Sequence, residues 1–403
     1  MLLLGIARLI EKNDDGNDES ENSEVTPEVT QVAKVLWEGY NVLCCAFSYY
    51  ASANLELNHL TLNTYTQFIE DCKLASKKSA FCKKSDFDQL FIAVDTASMR
   101  LDKEAAALQK QQVMLGRGDN IMRGKDGGER KLDEVNDRQK AFSRTEFLAA
   151  LVHMAINRYV KTKEVPDVSE ALQRFVFEDV AANVNRCAMQ DSNAFREAYA
   201  YSSGANAVLR WHAASLRQMF AGLAAASTDN GKGTLIDSRI FLRALEALQI
   251  TGAGDVTERD AILCFAWSRM VVVDGRTHRG VRYESHLPFE GFLEALCRLA
   301  VLKALPTDED LFFARVEHAG AFMDALEADD TVAYLEFIAT RATPIGSEPN
   351  GREPYHRMLA HLLELIFHRI EVQMGGGSEG GGAVSISFKD MAKWMKIKGF
   401  EKH

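Results

Sequence analysis

The sequence predicts an all-α protein that repeats one helical unit, and three observations lead to this prediction. First, residues 85–98 (SDFDQLFIAVDTAS) and 257–270 (TERDAILCFAWSRM) are two similar helix-forming segments. Second, a similar block follows each of them after a loop, at 142–155 and at 287–300. Third, we find no long alternation of apolar and polar residues of the kind that a sheet requires. An internal repeat of this kind constrains the architecture of the whole chain.

Each repeat reads as helix, loop, short extended stretch and helix, which is the outline of an EF-hand. In a pair of such units one residue of each loop joins the two loops through a short β contact. We therefore expect Leu60 to pair with Phe142 and Ile236 to pair with Leu287. The predicted fold is all-α, with tandem degenerate EF-hand-like helical pairs and short β contacts.

The first repeat begins at Thr26-Pro27-Glu28, which combines a capping residue, proline at the first helical position and an acid in the first turn. Apolar residues at spacings of three and four extend this helix to Phe47. A second helix opens near Leu60. The third and fourth helices are predicted at Asp86–Val94 and Ser143–Tyr159.

Residues 96–141 form an insertion that is much longer than the few residues an EF-hand loop needs between its helices. Its first part is rich in helix formers and its second part is rich in glycine and charge. We interpret the insertion either as a tolerated surface excursion or as a contact arm.

The remaining boundaries follow from proline, glycine and charge. Residues 1–25 are an acidic N-terminal segment whose apolar start is too short to span a bilayer. Residues 363–370 and 386–395 are weakly similar to the repeated helices, which suggests that the tail is half of a third pair. The predicted segments are 1–25, a first pair at 26–165, linking helices at 166–204, a second pair at 205–303 and a C-terminal helical domain at 304–403.

The net charge of −10 argues against nucleic acid as a partner, because binding to phosphates needs a basic face. No apolar run is long enough for a membrane helix. The seven cysteines are scattered and include no CxxC pair, which favours reduced thiols in the cytoplasm over a disulfide framework or a zinc site. We expect no cofactor.

The predicted loops carry too few oxygen ligands for calcium. Position 12 of a calcium loop should be a bidentate glutamate, whereas Thr64, Ile240 and Gly291 stand there. Only Asp95 and Glu146 are plausible loop ends, and the insertion separates them. The alternative is structural, with Asp95 capping a helix end and Glu146 in the first turn of its helix, where the dipole favours a carboxylate.

No arrangement of nucleophile, base and acid indicates an enzyme. The segment GKGT at 231–234 does not complete a phosphate-binding loop. His361 and His368 share one helix face, but a metal site would need a third ligand, so we interpret them as surface or capping histidines. Three of the four tryptophans are predicted to be core anchors, and Trp394 is the exception.

Three segments together resemble the core of the tubulin polymerization-promoting protein family: YTQFIEDCKL (65–74), CKKSDFDQLFIAVD (82–95) and FSRTEFLAALVHMAINRYV (142–160). The match covers 60–160 and, more loosely, 236–303. The resemblance implies a degenerate EF-hand-like helical domain and a non-enzymatic, microtubule-associated protein. A duplicated version that carries an insertion is similar to the EF-hand-like proteins of cilia and flagella.

The resulting hypothesis is a structural or adaptor protein of a microtubule assembly, the ciliary or flagellar axoneme, in the cytoplasm and cytoskeleton. Its partners would be tubulin or other axonemal proteins. The alternative is a calcium-responsive regulatory EF-hand module.

The C-terminal helix is basic and amphipathic, although the chain as a whole is acidic. Its predicted partner-binding residues are Lys393, Trp394, Lys396 and Lys398, facing an acidic partner such as tubulin. A second interpretation is that Phe388, Met391 and Trp394 pack on the helix that carries Phe367 and close the core.

Overall fold

A computed structural model gives the structure of the chain and describes residues 26–55, 57–114, 141–227, 233–269, 285–349, 351–375 and 386–400. The described residues are mainly helical, and the predicted all-α class is confirmed. Two sheets of two short strands each accompany the helices. The chain divides into two compact units, Met1–Met189 and Gln190–His403.

The first unit packs its helices around a cluster of aromatic rings. Phe91 stacks on Phe142 with 4.1 Å between ring centroids, and the ring of Tyr65 lies edge-on to Phe142. The elements are α1 (Pro27–Glu38), α2 (Tyr40–Ala51), β1 (Leu60–Thr61), α3 (Leu62–Asp71), α4 (Lys84–Met114), β2 (Ala141–Phe142), α5 (Arg144–Ala155), α6 (Val168–Arg174) and α7 (Ala181–Asn183).

The second unit is built around one central helix, α17, which contacts α9, α13, α15 and α18. Most of the side chains of α17 from Met358 to Ile370 are buried. The elements are α8 (Ser192–Phe195), α9 (Ser203–Trp211), α10 (Ala213–Ala226), β3 (Ile236–Asp237), α11 (Ser238–Ala247), α12 (Glu258–Trp267), β4 (His286–Leu287), α13 (Phe289–Leu302), α14 (Asp308–Ala314), α15 (Ala319–Asp329), α16 (Thr331–Arg341), α17 (Tyr355–Gln373) and α18 (Phe388–Ile397).

The two β contacts have the predicted register. Leu60 pairs with Phe142 in the antiparallel contact of β1 with β2, and Ile236 pairs with Leu287 in that of β3 with β4. All four side chains are buried, so each contact joins two helix-bearing segments through the core. The pairing is what an EF-hand-like arrangement requires, and the EF-hand character itself stays a prediction.

Several predicted helices have different ends. The helix predicted from Thr26 to Phe47 is interrupted at Gly39, where an added Cβ would lie 2.7 Å from Cγ1 of Val176. The predicted third helix, Asp86–Val94, is instead the start of α4, which continues to Met114. The insertion at 96–141 therefore begins inside a helix, and residues 115–140 lie outside the described part of the chain.

The units also divide the chain differently from the predicted segments. The linking helices at 166–204 are shared, since α6 and α7 belong to the first unit and α8 and α9 to the second. The segments 205–303 and 304–403 lie in one unit because α17 packs directly on α13. The acidic segment 1–25 is outside the described residues.

Within the described ranges, no helix combines the length and the apolar character that crossing a membrane requires.

Candidate functional site

Of the two plausible ends of a calcium loop, Glu146 has a structural role in the first unit. Glu146 is buried in the first turn of α5, where its carboxylate accepts the backbone N–H of Ser143 in a capping box. Asp95 lies inside α4 and not at a helix end, so the prediction that it caps a helix is wrong. The first-turn position predicted for Glu146 as the alternative to ligation is the one that the structure has.

The remaining predicted loops offer little to a calcium ion. Thr64 donates its hydroxyl to the carbonyl of Thr61 and is buried. Ile240 and Gly291 stand within the first turns of α11 and α13 and carry no side-chain oxygen. Residues 228–232, in the loop before α11, lie outside the described residues.

The inner face of α18 completes the core of the second unit. Met391, Trp394 and Met395 are buried, and α18 packs on α10 and α17. The indole N–H of Trp394 donates to Oε1 of Gln373 at 2.8 Å, and the indole stacks on Phe400. Trp394 is fully buried, so its prediction as a partner-binding residue is wrong: it faces neighbouring helices and not solvent.

Two further contacts fix the ends of α18. The backbone N–H of Ile386 donates to Oγ of Ser215 at 3.0 Å. The guanidinium of Arg243 donates to the carbonyls of Lys398 and Gly399 and lies 4.6 Å from the ring centroid of Phe400. The helix is therefore held at both ends by α10 and α11.

The outer face of α18 carries the predicted lysines. Lys393 and Lys396 are exposed and Lys398 is half-buried; Lys389, which the prediction did not include, is exposed as well. Lys393 Nζ donates to the carbonyl of Met374 at 2.9 Å. Phe388, expected in the core, is 66% exposed, so for that residue the packing interpretation is wrong.

The tryptophans are distributed differently from the prediction. Trp37 and Trp211, predicted to be core anchors, are 77% and 76% exposed, whereas Trp267 and Trp394 are buried. Helical spacing alone does not separate these cases, because an apolar stripe can lie against a neighbour or face solvent.

The histidines of α17 are a second correction. His361 and His368 were expected at the surface or at caps, but both are buried. His368 Nε2 lies 2.8 Å from Oδ2 of Asp324, and its ring centroid is 4.8 Å from that of His318. Burial lowers the pKa of His318, and the neighbouring His368 lowers it further.

One cluster of possible metal ligands occurs among the described residues, and sequence reasoning did not find it. Oxygen or nitrogen atoms of Asp308, Glu353 and His361 all lie within 4.8 Å of one another. The three residues come from α14, from the turn before α17 and from α17. A histidine eight residues after a glutamate was the only local signal, since Asp308 is brought in by tertiary packing.

The buried cysteines are poor nucleophiles. Burial raises the pKa of Cys72 and of Cys264 to about 12 and the pKa of Cys297 to about 11. These groups are thiols near neutral pH, and it is the thiolate that reacts.

Comparison of the chain with protein-family models, with curated proteins and with solved structures gives no match. The resemblance to the tubulin polymerization-promoting protein family therefore stays a prediction.

Proposed function

We propose that this chain is a non-enzymatic structural or adaptor protein that docks on an acidic cytoskeletal partner through the outer face of α18. Tubulin, in a microtubule assembly such as the ciliary or flagellar axoneme, is the partner that the family resemblance implies. The proposal depends on one observation: α18 has a basic, exposed outer face, while its opposite face is buried in the core of the second unit.

The charge of this helix is opposite to that of the chain. Between Ile386 and Phe400, four lysines stand against one aspartate, a net charge of +3, while the whole chain carries −10. A local basic face of this kind attracts an acidic surface although the net charge of the protein repels it. Docking through α18 would therefore orient the protein, since the rest of its surface is unfavourable on average.

The face combines charge with apolar area. Lys389, Lys393 and Lys396 are exposed, and the exposed side chains of Phe388 and Ile397 lie on the same helix. Lysines without apolar neighbours mainly steer encounter, whereas buried apolar contacts slow dissociation. The mixture is suited to a lasting contact.

The helix also needs no folding on binding. Its inner residues, Met391, Trp394 and Met395, are buried, and Arg243 holds its C-terminal carbonyls. A preordered helix avoids the entropic cost that a disordered basic tail would meet when it binds. This distinguishes α18 from a flexible polybasic tail of the same composition.

The test is co-sedimentation of the full chain with microtubules and with salt-washed axonemes. The triple variant Lys389→Glu, Lys393→Glu and Lys396→Glu should bind at least roughly tenfold more weakly at low salt, and the difference should shrink at high salt. The matched control is Lys77→Glu, Lys78→Glu and Lys83→Glu, which changes three exposed lysines of the first unit by the same charge.

An equal loss in the two triple variants would show that net charge and not α18 governs binding. Unchanged binding of the α18 variant would place the contact elsewhere on the chain. Either result contradicts the proposal.

A further inference from the structure

We propose that Asp308, Glu353 and His361 form a binding site for a divalent transition-metal ion, with Zn²⁺ as the ion whose chemistry fits best. The site lies in the second unit and is independent of the function proposed for α18.

The spacing of the three residues suits a metal ion of this size. Nε2 of His361 lies 3.4 Å from Oδ1 of Asp308. One ligand atom from each of the three residues, Glu353 included, lies within 4.8 Å of those of the other two. Zn²⁺ binds nitrogen and oxygen at about 2.1 Å in a tetrahedral arrangement, which places neighbouring ligand atoms about 3.4 Å apart. One pair already has this separation, and a small movement of Glu353 would bring the third atom to the ion.

The decisive observation is the unsatisfied nitrogen of His361. This side chain is fully buried, and its Nε2 has no hydrogen-bond partner, because the contact with Asp308 lacks hydrogen-bond geometry. A buried polar atom without a partner is costly in a folded protein. Nε2 faces two carboxylates, and a cation placed among the three groups would satisfy all of them.

The other nitrogen of the same ring has a partner that orients it. Nδ1 of His361 lies 3.3 Å from Oε2 of Glu364, and that oxygen also accepts the backbone N–H of Ala319. A carboxylate on Nδ1 holds the proton there and leaves the Nε2 lone pair for a metal, which is the arrangement around most metal-binding histidines.

The two carboxylate ligands are held in position by their own contacts. Oε1 of Glu353 accepts the backbone N–H of Asp308 at 2.7 Å. Both oxygens of Asp308 accept from the guanidinium of Arg357, at 2.8 Å for the bond from Nε to Oδ2. Arg357 thus preorders Asp308 and at the same time competes with a metal for it.

The ligand set selects among cations. One imidazole and two carboxylates suit Zn²⁺, whereas Ca²⁺ and Mg²⁺ require six or more oxygen ligands or a shell of waters. Three protein ligands leave one tetrahedral position for water. Because the ligands come from α14, the turn before α17 and α17 itself, the bound ion would tie three segments of the second unit together.

The first experiment measures metal binding to the full chain after removal of metals with a chelator. Titration with ZnCl₂ should show one binding site. When free Zn²⁺ is about a hundred times the Kd, the Tm of the second unit should rise by roughly 5–10 °C. Millimolar CaCl₂ or MgCl₂ should produce no such shift. Absence of zinc binding, or an equal effect of Ca²⁺, would overturn the proposal.

Substitutions of the proposed ligands and of the residues that contact them test where the metal binds. Glu353→Gln keeps an oxygen for the Asp308 N–H and should weaken Zn²⁺ binding at least tenfold, as should His361→Asn. Glu364→Gln acts through His361 and should weaken binding by about 10- to 100-fold. Arg357→Gln should tighten binding, because it removes the competing cation.

The matched controls Glu309→Gln and His356→Asn alter an exposed acid and an exposed histidine beside the site and should leave binding unchanged.

Cobalt separates this site from the seven cysteines of the chain. Co²⁺ bound by Asp308, Glu353 and His361 gives weak visible bands without thiolate-to-metal charge transfer, and Glu353→Gln should remove those bands. A strong thiolate band, or binding that Glu353→Gln leaves unchanged in a variant with native circular dichroism, would overturn the proposal.

Discussion

Gly320 lies where α15 and α17 approach each other closely, and a substitution there tests that approach. It lies near the start of α15, facing α17, and an added Cβ would stand 2.5 Å from Cγ and 2.6 Å from Cδ2 of His368. Ordinary carbon contacts are at 3.5–4.0 Å, so α15 and α17 would have to separate by about 1 Å in a Gly320→Ala variant. The imidazole cannot swing away freely, because its Nε2 is bonded to Asp324.

Two effects of the substitution oppose each other. Alanine favours a helix over glycine by at most about 1 kcal/mol. Overpacking costs about 1–3 kcal/mol, and weakening a buried hydrogen bond to a charged group adds about 1.5–3 kcal/mol. We expect the packing effect to exceed the helix preference, with a net destabilisation of about 2 kcal/mol. For a unit of this size the Tm should fall by about 4–8 °C.

The assay is thermal and urea unfolding of the full chain followed by circular dichroism. The control is Gly252→Ala, at a glycine where an added Cβ meets nothing within 4 Å and the Tm should change little or rise. A Gly320→Ala variant that unfolds within about 1 °C of the wild type would refute the described approach of α15 and α17.

Three further predictions concern other parts of the chain. Trp394→Ala should destabilise the second unit by about 3–5 kcal/mol in urea unfolding because it empties a buried site, and a cost below about 1 kcal/mol would contradict that burial. The free energy of unfolding of the second unit should fall as the pH drops below 6.5. Burial lowers the pKa of His318 in the folded state, so the unfolded state binds the proton first. The stability is therefore lost between the pKa of the unfolded state and that of the folded state. His318→Asn keeps a side chain able to accept the Ala321 N–H and should reduce the fall of the Tm between pH 6.5 and 5, whereas an unchanged slope would exclude His318. Calorimetric titration with Ca²⁺ should show no site tighter than about 10 µM, and sub-micromolar binding lost in Glu146→Gln would restore the calcium-responsive alternative.

The β contacts were predictable because their signal is local and repeated. Leu60 and Ile236 each stand before a helix with the same apolar spacing, and Phe142 and Leu287 occupy the matching place in the following block. Repetition in sequence therefore located two contacts between residues that are far apart in the chain. The start of α1 after Thr26 was predictable for the same local reason, since its capping signals lie within one turn.

What could not be predicted depends on contacts between distant segments. Val176 lies so close to Gly39 that a Cβ would not fit there, and nothing near Gly39 in the sequence indicates this contact. Trp37 is exposed and Trp394 is buried for the same kind of reason, since each depends on which element packs against the apolar face of its helix. At the proposed metal site, His361 was visible in the sequence as a candidate ligand, but Asp308 reaches it only through packing of α14 against α17.

The position of α18 on α10 has a consequence for how the second unit folds. Ser215 bonds to Ile386, and a Cβ on Gly222 would touch Met391, so these contacts join residues about 170 positions apart. Leu216, Met219 and Leu223 of α10 are buried in the folded protein, and α18 supplies part of the cover of this helix. Contacts so distant in sequence form late, because the chain must close a long loop first. During synthesis and refolding, the apolar stripe of α10 is therefore the surface on which we expect chaperones to act and aggregation to begin.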